Sequence, residues 1–266
     1  MKRQYHIDLG PGEVAPTILL CGDPERADRV AKHFDKVRLR RAHREYVTVT
    51  GTYRGVPLSV MGTGIGPDNV EIAVVELSQL VKSPTFIRLG SCGALQKDIR
   101  ISDLIVTSAS VRLENTSLYF VPEGYPAASH YEVQVAIAKA CAGLGHPYHV
   151  GLTATAPGFY GAQGRVVPPF YPRDPGVVDR LAKIGVLNLE MEASCLLTLA
   201  SAARFRAGAV CAVYAERPRG KFADAAQRKR GEARVIEAGL AAALELDRLD
   251  RAKKARRLKT WVPEAF

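Results

Sequence analysis

The stretch TILLCGDPERADRVAKHF, residues 17–34, changes character in its middle. TILLC is a short unbroken apolar run, which a strand covered on both faces requires, and Gly22 ends it. DPERADRVAKHF then opens a helix. The same alternation recurs along the chain. EYVTVTGTYRGVPLSVMGTG (45–64) reads as two alternating strands round the turn Tyr53-Arg54-Gly55. PDNVEIAVVELSQLV (67–81) carries apolar residues at helical spacing, and TFIRLGSCGAL (85–95) is a strand running into a glycine turn. DLIVTSASV (103–111) and HVGLTATA (149–156) are strands, with the helix HYEVQVAIAKACAGLG (130–145) between them. LEMEASCLLTLASAA (189–203) reads as helix, AGAVCAVYA (207–215) as a buried strand, and residues 225–249 as the last long helix. Strands alternating with helices, several strands continuously apolar, imply one α/β domain: a mixed central sheet flanked by helices on both faces.

The 266 residues suffice for a sizeable core, and nowhere do eighteen apolar residues run without a charge, so no membrane span is expected. The opening MKRQYHIDLG turns polar at once, so no signal peptide is expected either. The five cysteines are scattered, with neither zinc-ligand nor disulfide spacing; all but Cys141 lie in or beside apolar runs and read as buried free thiols, which suits a cytoplasmic protein. A net charge of +10 raises nucleic-acid binding as a partner class. Much of that charge sits in RLDRAKKARRLK (248–259), however, and a basic segment after an alanine-rich helix is ordinarily solvated or frayed. We therefore divide the chain into a catalytic domain, 1–249, and a basic C-terminal tail, 250–266.

In open α/β sheets ligands sit beyond the carboxyl ends of strands. CGDPER (21–26) puts Gly22 where a backbone can approach an anion, with Arg26 on the next helical turn. IRLGSCG (87–93) puts Arg88 inside an apolar strand and Ser91 on the turn after it. A buried arginine needs an anionic partner. Here that partner is either a phosphate-sized ligand or an internal carboxylate, and spacing alone leaves both open. Neither stretch matches GxxxxGK[ST], and GTGIGP (62–67) lacks GxGxxG, so P-loop and dinucleotide sites are excluded.

GFYGAQGR (158–165) sets two aromatics, an amide and a guanidinium among three glycines, the equipment for a flat ligand with a polar edge. NLEMEAS (188–194) brackets Met191 with Glu190 and Glu192 at the start of an apolar helix. A carboxylate there can accept from a sugar diol while Met covers the ring; equally, acidic residues at a helix N-terminus answer the macrodipole.

CGDPERADRV, HRE (43–45), GTGIGP, IRLGSCGAL, GFYGAQGR and NLEMEAS together resemble, in order and spacing, the nucleoside phosphorylase superfamily over roughly residues 5–247, nearest to its hexameric uridine-specific branch. The resemblance implies a pentosyltransferase that cleaves a nucleoside with inorganic phosphate as co-substrate and no organic cofactor. It implies phosphate ligands Gly22, Arg26, Arg88 and Ser91, completed by Arg44 of a neighbouring subunit. It implies ribose contacts Met191, Glu192, Ser91 and a neighbour's His6. It implies base contacts Phe159, Gln163, Arg165 and Arg217, with Arg88, Arg165, Glu192 and Arg217 carrying catalysis. It further implies a homo-oligomer, a hexamer whose catalytic unit is a dimer, with potassium at a dimer interface held at Glu45, Ile65 and Asn69; Asn69 stands where the family has Ser. Two further departures are Ser91 and Cys92 in place of threonines. A fourth is Glu216, where the uridine branch has Asn and purine enzymes put an acid nearby. Glu216 keeps a purine nucleoside phosphorylase, or a hydrolytic nucleosidase of the same fold, as the alternative.

Overall fold

The computed structural model describes residues 2–261. In chain order its elements are β1 (Thr17–Cys21), α1 (Pro24–Ala31), β2 (Lys36–His43), β3 (Tyr46–Tyr53), β4 (Val56–Gly62), α2 (Pro67–Ser78), β5 (Thr85–Ala94), β6 (Leu104–Arg112), β7 (Ala127–Ala128), α3 (Tyr131–Gly143), β8 (Tyr148–Thr155), α4 (Val177–Lys183), β9 (Asn188–Glu190), α5 (Ala193–Ala202), β10 (Arg206–Glu216), β11 (Lys221–Phe222) and α6 (Ala225–Arg256). The apolar strands β4, β1, β5 and β10 lie side by side and parallel, so their carboxyl ends point the same way. β3 and β2 extend one edge antiparallel. On the other side the sheet closes: β5 pairs with β10, β10 with β6, β6 with β8, β8 with β9, and β9 returns to β5.

Helices cover both faces, as the alternating pattern requires. Val30 of α1, Ile137 of α3 and Val235 and Leu246 of α6 share one apolar layer with Leu19, Ile87 and Val210 of the sheet. Val74 and Leu77 of α2 and Leu196 and Leu199 of α5 share the opposite layer with Ile18, Leu20 and Phe86. Each large apolar side chain so buried contributes about 1.5–3 kcal/mol. α5 is buried all round, which holds the residues at its start rigid against the sheet.

Three boundaries differ from the pattern reading. The helix expected over 189–203 begins only at Ala193, because Asn188–Glu190 is taken up by pairing with β5 and β8. β2, KVRLRRAH, is an edge strand whose charged side chains face solvent, a composition that hides its period and protects an open edge from foreign strands. α6 is continuous across 249/250 and runs to Arg256 rather than fraying there. Beyond it, Trp261 N–H donates to Glu132 at 3.0 Å, beside Lys253 Nζ at 2.5 Å on the same carboxylate. All five cysteines are buried and free. No helix among the described residues is long and apolar enough to cross a membrane.

Candidate active site

The carboxyl ends of β1, β4, β5, β9 and β10 open on one cleft of about 720 Å³. Gly22, Arg26, Arg88, Ser91, Phe159, Gln163, Arg165, Met191 and Glu192, drawn from four separate stretches of sequence, all line it. The turn after β4 approaches closely: Gly64 has φ +82°, and a Cβ on it would come within 2.5 Å of the Asn69 amide. Only glycine fits there.

Both internal arginines have carboxylate partners. Arg88, 4% exposed, donates through Nε to Glu190 at 3.1 Å and through Nη2 to Glu192. Arg26 donates through Nε to Glu232 at 2.8 Å and through Nη1 to the Leu89 carbonyl at 2.9 Å. The internal-carboxylate reading therefore holds for both side chains in this state, while both still line the cleft. The two glutamates of NLEMEAS divide the roles left open by the sequence. Glu190 accepts the N–H groups of Glu192 (2.8 Å) and Ala193 (2.9 Å) and so takes the helix terminus. Glu192 turns to the cleft and accepts from Gly66 N–H at 2.8 Å. Burial pushes the Glu192 carboxyl above the usual range; Arg88 opposes this and the neighbouring Glu190 adds to it. Burial depresses the Arg88 guanidinium, but Glu192 and Glu190 more than reverse that, so its charge is secure.

At the other end of the cleft, Arg165 lies over the Phe159 ring at 4.1 Å and faces the Phe222 ring at 5.3 Å. Its Nε donates to the Phe159 carbonyl at 3.0 Å. Gln163 is buried against the cleft, and its main-chain carbonyl accepts from Arg217 Nη2 at 3.0 Å. Arg217 does not line the cleft and stands behind Gln163. Burial and the Arg165 charge lower its guanidinium to about 10, and its Nη1 has no hydrogen-bond partner among the described residues. Two cations packed this closely favour an electron-rich ligand between them and the solvent.

Besides Arg217, four of the expected residues lie away from the cleft and a fifth, Ile65, stands at its rim. His6 Nδ1 contacts Glu76 at 2.7 Å, and Arg44 stacks on Tyr5 at 5.1 Å, outside this chain's own cleft. Glu45 and Asn69 flank Gly64, and Ile65, 70% exposed, stands at the cleft rim. Among the described residues no group of three His, Cys, Asp or Glu could hold a metal. Glu45 and Asn69 offer oxygen donors, which suit a hard cation, but one chain supplies an incomplete shell.

Glu216, the residue that kept the purine alternative open, does not line the cleft. Its carboxylate accepts Ile101 N–H at 3.0 Å and Arg219 Nη1 at 2.7 Å. Burial raises its carboxyl, and Arg219 and the Ile101 N–H outweigh that and hold it below the usual range. It stays ionised and tied to its own loop. Pattern reasoning missed Glu232, Phe222 and the Gly66 N–H: the first sits in a charge-rich helix, the second in a two-residue strand, and the third is backbone.

Comparison with known proteins agrees with this geometry. Residues 16–249 match the phosphorylase superfamily. The chain is 46% identical over 230 residues to a uridine phosphorylase of Thermococcus kodakarensis, covering 85% of this chain and 82% of that protein. It is 36% identical over 251 residues to the uridine phosphorylase of Escherichia coli, covering 91% and 97%. It is also 34% identical over 213 residues to a guanosine phosphorylase of Halorubrum lacusprofundi, covering 80% and 83%. A match of that extent, on a chain whose strand ends converge as described, has one meaning: the protein belongs to the phosphorylase superfamily.

Proposed function

We propose that the protein catalyses reversible phosphorolysis of uridine to uracil and ribose 1-phosphate. One observation carries the reading: a single cleft has two arginines and a glycine turn at one end, an aromatic, an amide and a guanidinium at the other, and Met191 and Glu192 between them. Phosphate held by Gly22, Arg26, Arg88 and Ser91 attacks the anomeric carbon as the C1′–N1 bond breaks. The bonding pair leaves with uracil, and the phosphate anion faces the positive charge that develops on the sugar. Glu192 accepts from the ribose hydroxyls and holds the ring in line, so positioning and electrostatics do most of the work. Gln163 can donate to a ring carbonyl and accept from the ring N–H, while Arg165, backed by Arg217, meets the charge on the leaving base. A water nucleophile would have no need of these guanidinium groups, which disfavours a hydrolase.

The purine alternative has the guanosine phosphorylase relative in its favour. Against it, Glu216 is engaged with Ile101 and Arg219 and does not line the cleft. We further propose a nucleotide-salvage role in the cytoplasm, in keeping with five free thiols. We propose a homohexamer of dimers in which a second copy contributes Arg44 and His6, with potassium at Glu45, Ile65 and Asn69 in a structural capacity. Residues 250–266 we read as a basic C-terminal tail whose first part is held to the domain through Asp250 with Arg206 and through Lys253 and Trp261 with Glu132; an RNA-binding role for it is tested by deletion, which would remove RNA affinity, lower Tm through those lost bonds and leave uridine cleavage in the surviving folded protein.

The deciding experiment measures base release from uridine, thymidine, inosine, guanosine and adenosine with and without phosphate. Uridine cleavage that depends on phosphate, and that is lost in Gln163→Ala/Arg165→Ala, is the expected result. Phosphate-independent release, or a purine preference, refutes it.

A further inference from the structure

Arg26 is held before any ligand arrives. Its side chain is 6% exposed, and Glu232 and the Leu89 carbonyl occupy its Nε and Nη1. Glu232 comes from α6, 206 residues away in sequence. It reaches Arg26 because Gly231 lets that helix press on the sheet: a Cβ there would lie 3.2 Å from the Tyr214 ring and 3.3 Å from Ala212. The same carboxylate also meets Arg29, with Oε1 3.0 Å from Nη2 and Oε2 2.9 Å from Nε. Arg29 in turn reaches Asp23, the N-cap of α1. One carboxylate thus sits between two guanidinium groups on one helix and keeps them from repelling each other.

We propose that Glu232 is a positioning residue for phosphate, acting through Arg26. This rests on the phosphorolysis reading and adds to it a residue from the far end of the chain. With Glu232 gone, Arg26 keeps its contacts to the Leu89 carbonyl and Tyr214 but loses its carboxylate partner and the charge that stands between it and Arg29, so its guanidinium leaves the geometry a phosphate needs. The competing possibility is that Glu232 draws Arg26 away from phosphate, and then its removal would tighten phosphate binding.

The test is steady-state kinetics of Glu232→Ala and Glu232→Gln with phosphate and uridine varied in turn. In Glu232→Ala the KM for phosphate rises about ten- to a hundredfold, as a displaced binding group predicts. The KM for uridine and kcat at saturating phosphate stay within about threefold. Glu232→Gln, which keeps an acceptor for Nε, falls between wild type and Ala. A purely structural role would lower Tm and kcat and leave the phosphate KM unmoved, and that result overturns the proposal, as does a lowered KM. Should Glu232→Ala fail to fold, Glu232→Gln is compared with wild type by the phosphate dependence of Tm. A given rise in Tm then requires several times more phosphate in the variant, and an identical dependence overturns the proposal. If wild-type uracil release is itself independent of phosphate, the phosphorolysis reading fails and this one with it. If the wild type depends on phosphate and the variants match it, only the role of Glu232 fails.

Discussion

Replacing Arg88 by Met tests the electrostatic heart of the cleft. The substitution keeps an apolar stem in the strand and deletes the cation that, among the described residues, bonds both Glu190 and Glu192. Those carboxylates have side-chain exposures of 0% and 4%, so the variant leaves them facing each other in a water-poor site. Breaking a buried ion pair by removing one partner costs about 3–5 kcal/mol. At about 2–4 °C per kcal/mol for a chain of this size, Tm falls by roughly 6–20 °C near pH 8. The loss depends on pH, with a definite sign. Glu192 already binds its proton more tightly folded than unfolded, because burial outweighs Arg88. Removing Arg88 raises it further. A group whose folded pKa is raised stabilises the fold fully below its unfolded value, about 4.3, and loses that contribution as pH rises through the folded value. Arg88→Met is therefore closer to wild type at pH 5.5 than at pH 8. Thermal unfolding followed by circular dichroism at both pH values measures this, with phosphorolysis assayed alongside. Adding Glu192→Gln should recover part of the lost Tm at pH 8 without restoring activity. A Tm within about 2 °C of wild type at pH 8, or an equal drop at both pH values, would refute the reasoning.

Two further changes probe residues outside the cleft. Glu132 accepts from Lys253 Nζ (2.5 Å), Trp261 N–H (3.0 Å) and Arg206 Nη1 (3.2 Å). Burial raises its carboxyl, and these three partners more than reverse that, so the folded value lies below the ordinary one. Glu132→Gln should lower Tm by about 4–12 °C at pH 7, from roughly 2–3 kcal/mol of charged hydrogen bonding. That difference should begin to shrink as pH falls below the unfolded value, about 4.3, and go on shrinking towards the lower folded one; a difference as large at pH 3 as at pH 7 contradicts the linkage. Glu216→Gln should cost about 1–2 kcal/mol of stability through its bonds to Ile101 and Arg219. It should leave the ratio of uridine to inosine turnover unchanged, and a tenfold swing in that ratio would mean Glu216 reaches the base after all.

Much of the fold was legible because burial on both faces writes a strong signal. TILLC and AGAVCAVYA are unbroken apolar runs and TFIRLG is one interrupted by Arg88, and they became the parallel centre of the sheet. KVRLRRAH was not legible, since an edge strand facing solvent needs no apolar period. The closure of β9 back onto β5 was also out of reach, because three residues of pairing are too short to mark a sequence.

For the site, local chemistry named the pieces: an arginine in an apolar strand, a glycine turn after a strand, and an amide and a guanidinium beside aromatics. Which partner each group takes was a tertiary matter. Glu190 and Glu192 are two residues apart, chemically alike and both at the cleft, yet one takes the N–H groups at the start of a helix and the other takes the Gly66 N–H of the glycine turn, because β9 turns into α5 between them. Glu216 looked like a base-directed acid by its position, and the fold turned it towards Arg219 instead. Glu232 carried no signal at all until α6 brought it to Arg26. The sequence by itself determined which residue types the protein has for chemistry and which segments must be buried. Only the tertiary structure decided which charge meets which, since electrostatic energy depends on separation and burial in space rather than on distance along the chain.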